Sequence, residues 1–161
     1  MDIRKFINKS EIDTSLNPQQ REIVELVVRK RENVFITGPG GVGKSHTIRY
    51  IQQTAIKDSY SVAITALTGC AAYELKCGAS TIHRWAGINT GTGSISTLIN
   101  RIKRKNRKAF NRWKSTDILV IDEISMMDAE LFEKLDTIGR ELRNSIKPFG
   151  GITIVASGDF Y

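Results

Sequence analysis

Residues 38 to 45, Gly-Pro-Gly-Gly-Val-Gly-Lys-Ser, constrain this chain more than any other stretch. Glycines at 38, 40, 41 and 43 free the backbone from the limits a Cβ imposes, so that successive N–H groups can converge on one point. The apolar run Val34 to Ile36 ahead of them reads as a buried strand, and Lys44 and Ser45 open a helix behind them. Strand, glycine loop and helix in that order form the G-x-x-x-x-G-K-[ST] phosphate loop. Its backbone amides and the helix N-terminus suit an anion, Lys44 can reach the β- and γ-phosphates of a nucleotide, and the Ser45 hydroxyl can ligate Mg²⁺.

A chain of 161 residues is long enough for one domain with a proper core and short for two. No stretch is apolar enough to span a bilayer, and Met1 to Ser10 lacks the apolar centre of a signal peptide, so an intracellular, aqueous compartment without membrane contact is expected. Cys70 and Cys77 are too few for a disulfide framework and, with His46 and His83, make no convincing zinc set; reduced structural thiols are the expectation. The net charge of +7 has a local origin. Residues 101 to 114 hold eight Lys or Arg and no acid, leaving sixteen cations against seventeen acids elsewhere. Such a patch, with Lys103, Arg104, Lys105, Arg107 and Lys108 at its centre, suits a nucleic-acid backbone; it is equally what a solvated helix face looks like.

Taken in order, Asn17-Pro18 reads as a helix start, with Ile23, Val24, Val27 and Val28 at helical spacing to about Arg31. Gln20 at its first turn can present its amide to a purine edge or simply face solvent. The helix after the phosphate loop carries Ile48, Ile51 and Ile56, and Ser61 to Ala66 reads as a second strand. One helix is expected from Ser94 to Lys114. Asp117 to Ile121 is a further strand, ending at Asp122 and Glu123. A carboxylate there belongs beside the phosphate loop in the Mg²⁺ shell, and the next one can activate an attacking water. Asp128 is expected to cap a helix to about Arg143 that buries Leu131, Phe132, Leu135, Ile138 and Leu142. Pro148 to Gly151 turn the chain, and Ile152 to Ala156 form the last strand. Strands alternating with helices argue an α/β fold: a parallel sheet with helices on both faces.

Six stretches in order, from Leu16 to the last residue, resemble the Pif branch of the superfamily 1 DNA helicases, the petite integration frequency helicases related to RecD. They are Leu-Asn-Pro-Gln-Gln at 16 to 20, the phosphate loop, Thr-Ala-Leu-Thr-Gly-Cys-Ala-Ala at 65 to 72, Thr-Ile-His-Arg-Trp-Ala-Gly-Ile at 81 to 88, Ile-Asp-Glu-Ile-Ser-Met-Met-Asp-Ala-Glu-Leu-Phe at 121 to 132, and Pro-Phe-Gly-Gly at 148 to 151 with Gly-Asp-Phe at 158 to 160. The resemblance implies a P-loop NTPase with a single RecA-like domain over 1–161, ATP and Mg²⁺ as cofactors, and 5′ to 3′ movement on single-stranded DNA with opening of forked or structured duplex. It implies Gln20 as adenine reader, Gly38, Gly40, Gly41, Gly43, Lys44 and Ser45 as nucleotide grip, Asp122 as Mg²⁺ carboxylate, and Glu123 as base. It further implies Thr65, Thr68, Gly69, Thr81 and His83 as DNA contacts and Asp159 as the link from γ-phosphate to DNA track.

The resemblance also implies work in DNA repair, recombination and telomere maintenance, in nucleus or cytoplasm, with a viral or phage source open. In the family, Gly-Asp-Phe continues into Gln-Leu-Pro-Pro and a second RecA-like domain that brings arginines to the phosphoryl group. These residues are outside the 161, so the chain by itself is expected to bind nucleotide and hydrolyse it weakly unless another chain supplies that domain, an arginine finger being worth about 10³ to 10⁵ in rate. Two other functions fit part of the pattern: an ATP-sensitive single-strand binder without turnover, and a small-molecule kinase. Glu123 directly after Asp122 argues against the kinase, because it suits activation of water.

Overall fold

The computed structural model describes residues 16–37 and 42–158. The first helix, α1 (Pro18–Val24), starts where Asn17 and Gln20 cap each other: the Asn17 side chain accepts from the Gln20 N–H at 2.8 Å, and Gln20 Oε1 accepts from the Asn17 N–H at 3.0 Å. Its last turn widens into a π-helical one over Glu25–Arg29. Then follow β1 (Val34–Thr37), α2 (Val42–Lys57), β2 (Val62–Ala66), α3 (Gly69–Leu75), β3 (Ser80–Thr81) and α4 (Ile82–Ala86). After these come α5 (Ile95–Lys105), α6 (Arg107–Ser115), β4 (Ile118–Asp122), α7 (Ala129–Leu142) and β5 (Thr153–Gly158). Among the described residues the strands form one parallel sheet in the order β1-β5-β4-β2-β3. Its last member, β3, is too short to leave a periodicity in the sequence.

Alternation along the strands divides the core in two. Ile118 and Val120 of β4, with Val155 of β5 and Ile36 of β1, face α1, α2 and α3 through Val24, Ile48, Ile51 and Ala72. Leu119, Ile121 and Ile154 face the other way, onto α4 to α7 through Trp85, Ile102, Trp113 and Ile138. Helices therefore cover both faces, as expected.

Three expectations are corrected. The helix expected from Ser94 to Lys114 is broken at Asn106, whose side chain accepts from the Ala109 N–H at 3.1 Å and starts α6. Asn106 falls on the apolar stripe between the buried Ile102 and Ala109, where a continuous helix would bury its amide; as an N-cap the amide finds a partner. Ile56 is 60% exposed, because it follows the buried Ala55 by one residue and so lies about 100° further round α2. Phe132 is 38% exposed, although its ring meets Phe149 edge-on at 5.2 Å.

That contact belongs to an interlock that holds α7 to the Pro148–Gly151 turn. Asp136 Oδ1 accepts from the Phe149 N–H at 2.7 Å, and Arg143 donates to the carbonyls of Gly150, Trp113, Lys114 and Thr116. Burial, then the nearby Arg31, lower the Arg143 pKa while Asp117 opposes them; burial likewise lowers that of Arg112, which caps α4 at the Trp85 and Arg84 carbonyls.

Candidate nucleotide and DNA site

The strands end together at one edge, and their side-chain parity decides what meets there. Asp122 continues the Ile118 and Val120 face of β4, and Ser157 the Val155 face of β5, so both point toward the side on which α2 packs. The Ser157 hydroxyl donates to Asp122 Oδ1 at 2.7 Å. Lys44 and Ser45 lie half-buried in the first turn of α2. Strand β5 lies between β4 and β1, so Asp122 stands two strand spacings, about 10 Å, from the phosphate-loop strand.

Gln20 reaches the same corner. Its Nε2 donates to the Gly43 carbonyl at 3.2 Å, and the Thr47 hydroxyl donates to that carbonyl at 2.8 Å. Both ends of the Gln20 amide are thus engaged, one capping α1 and the other tying α1 to the start of α2. Of the nucleotide-site candidates, Gly38, Gly40, Gly41 and Asp159 lie outside the described residues.

Glu123 ends β4 in a left-handed conformation, φ 58° and ψ 39°, a strained backbone for a residue with a Cβ. Its Oε2 accepts from the Thr68 hydroxyl at 3.4 Å. Thr68 caps α3 by accepting from the Ala71 N–H at 3.2 Å, and Gly69 beside it is exposed. Thr81 caps α4 and, like His83, is half-buried at the same edge. Thr65 differs: it is fully buried, and its hydroxyl donates to the Val120 carbonyl at 2.7 Å inside the sheet.

The basic patch wraps the elbow between α5 and α6. Lys103, Arg104, Lys105, Arg107 and Lys108 are all exposed, and none pairs with an acid among the described residues. Arg107 and Lys114 lie over the Phe110 ring at 5.0 and 6.0 Å. Arg107 and Lys108 occupy the first turn of α6, where the helix dipole disfavours cations.

Sequence reasoning missed Ser157, whose two-residue spacing from Val155 on β5 was the available signal, and the Thr68–Glu123 bond, which had none. Among the described residues no helix is long and apolar enough to cross a membrane. Cys70 is exposed and Cys77 half-buried, both as free thiols.

A parallel α/β sheet with Lys44 and Ser45 heading one helix, and a strand-end carboxylate on the same face, is a phosphate-loop nucleoside triphosphatase fold. The model of the PIF1-like helicase family matches residues 15–161, and the chain belongs to that family. It is 43% identical over 148 residues to the ATP-dependent DNA helicase RRM3 of Saccharomyces cerevisiae, a match covering 91% of this chain and 20% of that protein. The crystal structure of Pif1 helicase from Candida albicans superposes with a TM-score of 0.83 at 44% identity, over 91% of this chain and 33% of that one. Pif1 helicase from Bacteroides, in complex with ADP-AlF3 and single-stranded DNA, superposes with a TM-score of 0.71 at 27% identity, over 89% and 32%. The chain spans about a fifth of the length of the curated relatives it matches. Family membership argues against the small-molecule kinase.

Proposed function

We propose that this chain is the N-terminal RecA-like motor domain of an intracellular, ATP-dependent DNA helicase, binding ATP and Mg²⁺ at the β1–α2 corner and single-stranded DNA at the β2–β3 edge. The observation that carries this reading is the placement of Asp122, held by Ser157, on the same sheet face as the helix that begins with Lys44 and Ser45. The donor set fits the group: oxygen ligands from Ser45 and Asp122 for a hard cation, and a lysine for phosphate oxygens. The cation, once bound, neutralises charge on the phosphate oxygens. Gly43, with Gly38, Gly40 and Gly41, would cradle the phosphates, and Gln20 would read the adenine by exchanging the Gly43 carbonyl for the base edge. Glu123 would orient and deprotonate water, and Asp159 would sense the γ-phosphate. Thr68, Gly69, Thr81 and His83 would contact the DNA strand, with the α5–α6 elbow holding neighbouring phosphates. Movement 5′ to 3′, duplex opening at forks and the arginines of a second RecA-like domain belong to the larger assembly in this reading.

The test is nucleotide binding and hydrolysis by the purified chain, with and without single-stranded DNA. Lys44→Ala is expected to lose nucleotide affinity, and Glu123→Gln to keep it while losing turnover. Equal affinity in wild type and Lys44→Ala would overturn the assignment. Binding without turnover would mean that the chain acts as an ATP-sensitive single-strand binder until the remaining arginines are supplied.

A further inference from the structure

The strand order places Glu123 at a seam. On one side are β1, β5 and β4, which carry the nucleotide corner; on the other are β2 and β3, which carry Thr68, Gly69, Thr81 and His83. Ala66 pairs with Asp122, so Thr68, two residues past Ala66, comes alongside Glu123, one residue past Asp122. Their side chains bridge the seam through a single hydrogen bond, Thr68 Oγ1 to Glu123 Oε2 at 3.4 Å.

Three features make this bond a candidate for control as well as support. It is long, so it costs little to break compared with a bond near 2.7 Å. The Thr68 hydroxyl has one proton, which it gives to Glu123, while its lone pair accepts from the Ala71 N–H. A DNA phosphate oxygen arriving at Thr68 can accept only that same proton, so DNA and Glu123 compete for it. Glu123 sits on a left-handed backbone, and no other side-chain partner is found for it among the described residues, so release from Thr68 leaves its carboxylate free to turn toward the nucleotide corner.

We propose that Thr68 is a positioning residue that withholds the Glu123 carboxylate from water until single-stranded DNA takes its hydroxyl proton, making the 3.4 Å bond the element that couples strand binding to hydrolysis. The proposal rests on the function assigned above. By reciprocity, if DNA loosens Thr68 from Glu123, then removing the Glu123 carboxylate must tighten DNA. This consequence can be read from binding alone, without turnover.

The experiment is a double-mutant cycle on the affinity of the purified chain for a single-stranded oligonucleotide, at fixed salt and without nucleotide. Glu123→Ala tightens binding in the wild-type background by a general charge effect multiplied by the released competition. In the Thr68→Val background the charge effect alone remains. The expected coupling is about fivefold, the low end for linked sites. Thr68→Val also weakens the α3 cap, so Thr68→Gly, tolerated at that position, repeats the cycle and should give the same loss of coupling. Thr68→Ser, which keeps the hydroxyl, should keep it. An equal gain from Glu123→Ala in the Thr, Val and Gly backgrounds would overturn the proposal while leaving the helicase reading intact. Absence of any oligonucleotide binding by the wild-type chain would remove both.

Discussion

At the scale of single residues, the tightest constraint lies where α7 meets the Pro148–Gly151 turn. A Cβ on Gly139 would come within 2.9 Å of the Phe149 carbonyl carbon, and Gly150 adopts φ +66° against the Gly139 carbonyl. Gly139→Ala is expected to destabilise the fold by about 1–3 kcal/mol through overpacking, and Gly150→Ala by more, since backbone strain adds to the clash. Urea denaturation midpoints would check both, and a variant with an unchanged midpoint would contradict the interlock. The fully buried Trp113 is a second such point: its Nε1–H donates to the Ala86 carbonyl at 3.0 Å, and its ring packs at a tilt on Trp85, 4.6 Å between centroids. Trp113→Phe leaves that carbonyl without its donor and should cost about 1–3 kcal/mol.

At the scale of elements, the α5–α6 elbow separates two forces that usually agree. Lys103, Arg104 and Lys105 close α5, where cations suit the helix dipole, whereas Arg107 and Lys108 open α6, where they oppose it. Replacing Arg107 and Lys108 by Gln should therefore raise stability by about 0.3–1 kcal/mol each while weakening DNA binding. Replacing all five cations should also flatten the salt dependence, by about 0.7 in the slope of log K against log salt for each single-strand phosphate that is no longer neutralised. Thermal melts and salt-titrated binding measure the two effects independently. An unchanged slope would make the elbow a solvated face.

At the scale of the molecule, ligand and fold are linked. A nucleotide that binds only the folded chain should stabilise it by about 2.7 kcal/mol at a hundredfold excess over its Kd, and Lys44→Ala should abolish this shift. Glu123→Gln should retain it. Melting curves with and without the Mg²⁺ complex of ATP would separate loss of the site from loss of turnover. Arg143 acts at the same scale, because its guanidinium joins α7, the end of α6 and the 148–151 turn through four carbonyls. Truncating it should loosen the α4–α7 face without touching the nucleotide corner.

What the sequence by itself determined was local. The strand, glycine loop and helix, the Asn17 and Asp128 caps and the apolar run into Asp122 are written in neighbouring residues, so spacing alone exposes them. The amphipathic stripes gave the α/β class for the same reason. Only the tertiary structure decided which distant residues meet. It inserted β5 between β1 and β4, brought Ser157 to Asp122 and Thr68 to Glu123, and buried Thr65. Strand order and register set those meetings, and they arise from packing two faces of one sheet at once, a condition that no window of sequence contains.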